Sequence, residues 1–544
     1  MSYPETRLPF LADVHGLLRF AAGVRRFGSK TLSLEESKAL VRQGMQRREA
    51  AFLKKVESSV FGDRGNPYLK LFRRAGCEPG DFRRLVEMEG VDGSLRTLRD
   101  AGVYVTFEEF KGRQPIRRGS DTYHVGEHDF DNKWTTSYFS MASGGSSGRP
   151  SRIHVDLEHI AQTAPHQHLW FAEHDWLNRP LLLWTSNHTG TASRHLLCAR
   201  YGRKYVKWFC PTEPSSIKDR LAAACVHALV RNAVGLSRPV TVPVNEAWKV
   251  SEYLVQLRNE GQQPCMITSP SQAIYACLAA DNRGLSLDGV TFLLGGEPLT
   301  PARRRTIEQH GAAAVPTYGF TEGGNVGSQC RNAAVADDIH VSLDAYAVIQ
   351  HSRPVADDAV VDALLLTALR PACSKVLLNT EIGDYAVMTS HKCGCLFDEF
   401  GYHQHLHTIR SFDKLTGVGM TFVGADIFNL MEKVLPERFG GSAMDYQLLE
   451  HDDARGLPRY SILVSPEVGS VDEERLREVF LEELGSQWSV YRWMAEVWRQ
   501  AGVLSVRREK PIATQRGKVL PFRTLLPAHA SGEGKDAGIR LEKN

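Results

Sequence analysis

The stretch SLEESKALVRQGMQRREAAFLKKV, residues 33–56, repeats its apolar positions at a spacing near 3.6. That spacing predicts an amphipathic helix, opened by Ser33 with Glu36 in a capping-box pattern. Short helices alternating with glycine turns continue the helical texture to about residue 125. From about 180 the pattern changes to short apolar runs, RPLLLWTS, KYVKWF, QQPCMITSP, GVTFLLGG and AAAVPTYGFTE, separated by helical stretches. Fully apolar strands alternating with helices predict a parallel α/β sheet.

Beyond about 340 the strands crowd together (HVSLDAYAVIQ, DALLLTAL, GDYAVMTS), as in a small β-rich subdomain with antiparallel pairing. Near 412 a third texture begins. VGADIFNLMEKVLPERF, RYSILVSPE, VDEERLREVFLEELG and AGVLSVRREK read in turn as strand exit and helix, strand, amphipathic helix and strand. The expected organisation is α/β throughout: a large N-terminal domain over 1–411 with a helical leader, a small α+β domain over 412–527, and a polar, glycine-bearing tail over 528–544. No internal repeat is present.

The length of 544 residues supports this division, since single cores stop growing at about 250–300 residues. Lys plus Arg (66) nearly balances Asp plus Glu (63), which leaves no nucleic-acid footprint. The run ARRRTIEQH follows Thr300, placed as an N-cap, and Pro301, placed as the first helical residue, and reads as a solvated helix face. Ten cysteines are scattered, with only Cys393 and Cys395 close neighbours, so a reducing cytoplasm is expected rather than a disulfide framework. No run of about 18 apolar residues suggests a membrane span.

ASGGSSGRPSR, 142–152, is ambiguous on its own chemistry. Its glycines and serines suit a polyphosphate, offering backbone N–H groups and hydroxyls, and suit a flexible linker equally. It is not a Walker sequence, because no Gly-Lys-Ser/Thr follows. Four further motifs come after it in order: LLGGEPLT (293–300), PTYGFTEGG (316–324), NTEIGDYAVM (379–388) with IRSFDKLTGVGMTF (409–422), and PIATQRGKVLPFR (511–523).

Together these resemble the adenylate-forming superfamily of acyl-CoA synthetases, luciferases and peptide-synthetase adenylation domains, and within it the phenylacetate–CoA ligase branch. The resemblance covers about 140–525. It implies that Ser143, Gly145, Ser146, Ser147 and Gly148 close over the ATP phosphates, with Gly144 where a hydroxyl is common. Gly295, Gly296, Glu297 and Pro298 would lie against the adenine and the acyl pocket. Tyr318, followed by Gly319, would stack on adenine, Thr321 would reach the α-phosphate and Glu322 would hold Mg²⁺, a hard ion suited to a carboxylate. Asp384 would bind the ribose, and Arg410 with Asp413 matches the hinge about which the small domain moves. Lys518 would contact the acyl carboxylate and the α-phosphate. Each motif also has a plainer reading as a turn, a surface acid or a solvated lysine.

One departure stands out. Where phenylacetate ligases have an Arg-Tyr-Arg-Thr run, this chain has Asn379, Thr380, Glu381 and Ile382, which would remove positive charge from the nucleotide side. Cys330, His391, Cys393 and Cys395 could hold a structural Zn²⁺, although CxC is a loose signal. The resemblance implies ATP-dependent activation of a carboxylic acid as an acyl adenylate, then transfer to an acceptor. Coenzyme A is the default acceptor, with a carrier-protein thiol or an amine as alternatives. A catalytically silent nucleotide- or partner-binding relative is the rival reading, and a homodimer is one assembly open to the chain. Trp184, His188, Tyr138, Phe139 and Phe320 are candidates for the acid pocket, with ordinary core packing as the alternative.

Overall fold

The computed structural model describes residues 9–135, 139–142, 152–185, 189–213, 217–354, 360–411, 414–417, 420–423, 429–487, 489–512, 519 and 521–524. Helix Pro9–Gly28 precedes the stretch 33–56, which is not one helix but two, Leu34–Gln46 and Arg48–Val56, divided at Arg47. Ser33 Oγ accepts from the Glu36 amide at 3.2 Å and the Glu36 carboxylate accepts from the Ser33 amide at 2.7 Å, so helix Leu34–Gln46 starts with two orphan donors satisfied.

Six parallel strands follow from the apolar runs, in the spatial order Pro239–Thr241, Tyr205–Cys210, Leu181–Trp184, Cys265–Thr268, Thr291–Leu294 and Ala313–Phe320. Leu181–Trp184, Cys265–Thr268 and Thr291–Leu294 are buried at every position, because helices cover both faces of this half of the sheet.

The antiparallel strands do not form a separate small sheet. Strand Ala313–Phe320 turns back into Gly324–Ser328, and the same sheet continues through Ile339–Val341, Gln404–Ser411, Thr380–Ser390, Val360–Ala368 and Tyr346–Pro354 to a total of twelve strands. The TYGFTE segment is therefore the joint between the two halves. Gly319 is fixed by that joint: a Cβ there would lie 2.5 Å from the Gly324 carbonyl oxygen.

The leader helices pack on the antiparallel half, with Phe52, Tyr68, Phe72 and Phe82 in one core with Leu364, Leu366 and Ile382. Full burial of side chains of this size contributes about 1.5–3 kcal/mol each. Asn379–Ile382 is the seam. Asn379, held at φ 44, donates from its side chain to Leu95 O (2.8 Å) and Val103 O (3.2 Å), while Glu381 accepts from the Phe107 amide at 3.3 Å. Thr380 meets the Tyr68 hydroxyl at 2.7 Å. Asn379, Thr380 and Glu381 thus join leader to sheet.

A four-stranded sheet, ordered Leu504–Arg507, Pro458–Val464, Tyr446–Asp452 and Phe522–Thr524, has its own core with helices Glu473–Gln487 and Ser489–Ala501. It meets the large sheet's helices through Arg303. Thr300 caps helix Pro301–Gln309 with Pro301 at its start, as the sequence pattern indicates. Arg303 is not solvated, however: it is 3% exposed, because the 452–456 turn from far along the chain covers it.

Candidate active site

In the parallel half, Leu181–Trp184 leads outward one way, through Tyr205–Cys210 to Pro239–Thr241, and Cys265–Thr268 leads the other way to Ala313–Phe320. The order reverses between these two strands. In open α/β sheets a crevice forms at such a point, outside the carboxyl ends of the strands. Trp184, Thr268, the Gly295-Gly296-Glu297 turn and Phe320-Thr321-Glu322 all stand at or just past carboxyl ends of that group. Thr268 Oγ1 donates to Trp184 O at 3.1 Å across the reversal, and the Trp184 indole N–H is buried without a hydrogen-bond partner among the described residues. Trp184 is fully buried, whereas Phe320 is only partly covered.

Two of the expected nucleotide residues, Tyr318 and Asp384, meet at the joint of the sheet. The Tyr318 hydroxyl donates to Asp384 Oδ2 at 3.0 Å, and Ser411 Oγ donates to Asp384 Oδ1 at 2.6 Å. Burial, and then the Asp384 carboxylate, push the Tyr318 phenol well above its ordinary pKa, so it acts as a donor at all physiological pH. Thr321 is exposed on the turn, and Glu322, next along, is buried with its carboxylate 2.5 Å from Lys111 Nζ. Lys111 comes from the leader, just after the short helix Phe107–Phe110, and its ammonium also lies 5.6 Å from the Phe110 ring centre. Its contact with Glu322 spans 211 residues of sequence, so no local pattern could reveal it.

Gly296 takes φ +83, which favours glycine, and the Gly295 amide donates to Thr268 O at 3.2 Å. The Glu297 carboxylate, expected to face the nucleotide, instead accepts from Ser271 Oγ (2.5 Å) and Arg303 Nη1 (2.9 Å), and Arg303 also donates to Pro298 O at 3.0 Å. Arg410 pairs with Asp337 at 3.1 Å, and two strands lie between its own and that of Tyr318. Ser143, Gly145, Ser146, Ser147, Gly148, Asp413 and Lys518 lie outside the described residues, as do Tyr138 and His188.

A second cluster gathers Cys330, Cys393 and Cys395, with His340 in the place expected for His391. Cys330 Sγ lies 3.7 Å from Cys393 Sγ, and His340 Nε2 lies 3.4 Å from the sulfurs of both Cys393 and Cys395. With Zn–S of about 2.3 Å a tetrahedron has S···S edges of about 3.8 Å, so the donor set and its size fit a tetrahedral ion. His340 Nδ1 lies 2.7 Å from Tyr402 O, a contact that turns Nε2 toward the thiols. His391 sits apart, with Asp338 and His405. The sequence signal for His340 was its ten-residue distance from Cys330, which has no meaning until strand Ile339–Val341 is paired beside Gly324–Ser328.

No protein-family model matches this sequence, and no curated protein matches it. Solved structures are similar to it. One is 2-hydroxyisobutyryl-CoA ligase, solved with 2-HIB-AMP and CoA in the thioesterification state: 13% identity over 91% of each chain, TM-score 0.50. Another is an amide bond synthetase from Marinactinospora thermotolerans, with 12% identity over 87% of this chain and 92% of that one, TM-score 0.40. The chain thus shares its fold with the 2-hydroxyisobutyryl-CoA ligase, a mixed α/β architecture with one large sheet.

Proposed function

We propose that the chain is an AMP-forming acid–thiol ligase. A carboxylic acid attacks the α-phosphorus of ATP, forming an acyl–phosphate bond and releasing pyrophosphate, and a thiol, coenzyme A in the first instance, then displaces AMP. The observation that carries this reading is the Tyr318–Asp384 contact where the parallel and antiparallel halves of the sheet join, with Glu322 on the turn after the Tyr318 strand, beside the crevice at the strand reversal.

Asp384 would accept hydrogen bonds from a ribose, a reading supported by Tyr318 and Ser411, which orient its two oxygens. Glu322 is the residue that would hold Mg²⁺, since a buried carboxylate suits a small hard cation, and when bound the ion would neutralise charge on the phosphates. In its absence Lys111 balances that carboxylate. Lys518 is assigned the acyl carboxylate and α-phosphate, and the loop at Ser143–Gly148 the outer phosphates. Reaction of this type asks mainly for positioning and charge neutralisation. A structural Zn²⁺ held by Cys330, His340, Cys393 and Cys395 would pin the turn after Ser390 to the strands beside the site.

Exchange of labelled pyrophosphate into ATP, run across a panel of carboxylic acids, tests the first half-reaction. Acid-dependent exchange is expected. ATP binding without exchange for any acid would instead establish a silent nucleotide-binding relative. The best acid offered with CoA, a carrier protein and amines then identifies the acceptor, and a product formed only with an amine or a carrier would overturn the coenzyme A assignment.

A further inference from the structure

We propose that Cys393 and Cys330 form an oxidation site for hydrogen peroxide, with Cys393 as the sulfur that attacks it and Cys330 as the thiol that resolves the product to a disulfide. The proposal rests on the geometry of the thiol cluster and is independent of the adenylating reading. Cys330 Sγ lies 3.7 Å from Cys393 Sγ, against about 2.0 Å in a formed disulfide.

The two sulfurs differ in access. Cys330 and Cys395 are buried, whereas Cys393 is only partly covered, so an oxidant from solvent meets Cys393 first. The backbone around both is held in place. Asn332, two residues past Cys330, donates from its side chain to Cys393 O at 3.0 Å. Trp170 Nε1 donates to Gln329 O at 2.8 Å and the Gln329 amide donates to Pro316 O at 3.1 Å, so the residue before Cys330 is fixed on both sides. The turn through Gly394, at φ +79, is tied in the same way, its amide donating to Asp398 Oδ2 at 2.6 Å. Two turns far apart in sequence thus bring their sulfurs together by protein contacts alone.

The thiolate is the form that attacks a peroxide, and an ion held by the cluster would keep its sulfurs in that form. The Cys393 sulfur bonds to one peroxide oxygen, the O–O bond breaks, and the other oxygen leaves as hydroxide and takes up a proton as water. Cys393 is then a sulfenic acid. The Cys330 sulfur attacks the Cys393 sulfur: the S–S bond forms, the S–O bond breaks, and the oxygen leaves as hydroxide, which a proton converts to a second water. Two thiols and one peroxide give one disulfide and two waters. The bridge leaves a tetrahedral ion with His340 and Cys395 alone, too few for a closed site of four, so an ion held there is released.

The test treats the reduced full-length chain, loaded with Zn²⁺ and desalted, with hydrogen peroxide. Released zinc is read with a chromogenic chelator, and the cross-link by mass spectrometry of an unreduced digest. The expected result is a Cys330–Cys393 peptide pair that dithiothreitol reverses, with zinc released in step, in wild type and in Cys225→Ser, which removes the exposed cysteine of helix Ile217–Val234. In Cys330→Ser the resolving thiol is gone, and dimedone should label Cys393 as a lasting sulfenic acid. The proposal is overturned if Cys393 stays a thiol, if wild type carries it to sulfinic acid without a bridge, or if the bridge joins other cysteines. It is equally overturned if Cys330→Ser leaves Cys393 unlabelled. A chain that retains no zinc after desalting would refute the metal assignment alone: the bridge is expected there as well, and its absence would overturn this proposal too.

Discussion

Lys111–Glu322 and Arg303–Glu297 are both buried ion pairs on carboxylates that follow neighbouring parallel strands, and they are built for opposite ends. Lys111 is a compact charge on a flexible stem, 4% exposed, brought to Glu322 from the leader. Arg303 is a planar fork with its directions filled: Glu297, Pro298 O, Gly456 O at 2.6 Å and Asp452 at 3.1 Å. Burial opposes the Arg303 charge, and Glu297 and Asp452 more than restore it, raising its pKa. A lysine can swing away or give up its proton when a better cation arrives. A saturated guanidinium can do neither. The difference separates a carboxylate that can change partners from one that is structural, although both stand in motifs of equal apparent promise.

The largest expected effect breaks the second pair. Arg303→Ala leaves the fully buried Glu297 carboxylate uncompensated and detaches the 452–456 turn, which should cost about 3–5 kcal/mol. Thermal or urea unfolding of the variant reads that loss. A cost within about 0.5 kcal/mol, the range of ordinary surface substitutions, would show that the clamp is not structural.

Glu322→Gln tests the other pair. Loss of one preorganised charge-stabilising group typically lowers turnover about 10²–10³-fold, and pyrophosphate exchange should fall by that much. The variant should lose less stability than Arg303→Ala, since the flexible Lys111 stem can move its ammonium away. Equal destabilisation with exchange intact would reverse the roles assigned to the two pairs.

What could be read from the sequence follows the range of the interactions concerned. The caps at Ser33 and Thr300 use partners three residues away, and the buried strands carry their burial in their own composition, so both were legible. Gly319 stood in the sequence only as part of the TYGFTE motif, because what requires a glycine there is the Gly324 carbonyl across the turn. Arg303 read as solvated because its cover lies 153 residues away in sequence. Asn379–Ile382 read as a change at the nucleotide because its partners, Leu95, Val103 and Phe107, belong to the leader. His391 is the histidine nearest Cys393 in sequence, while strand pairing decides that His340 is the imidazole that reaches the sulfurs. The site's local vocabulary was present, and the partners that sort its words into ligands and supports were not.

The smallest effect is the most selective test of the clamp. Asp452 is 29% exposed at its side chain, in the hairpin of the small sheet, and it engages the Arg303 Nη2 edge, while Glu297 takes Nη1 from the buried side. An ion pair with one partner in solvent is worth about 0–1 kcal/mol and weakens with salt, whereas a buried pair is little screened. Asp452→Asn should therefore cost less than about 1 kcal/mol, and that difference should shrink as ionic strength rises, while the Arg303→Ala difference should hold. If Asp452→Asn cost as much as Arg303→Ala, the guanidinium would be serving the small sheet and Glu297 would merely accompany it. If the two behave as expected, Arg303 is anchored first to its own helix and strand turn, and the small sheet is attached to that anchor by its weakest arm.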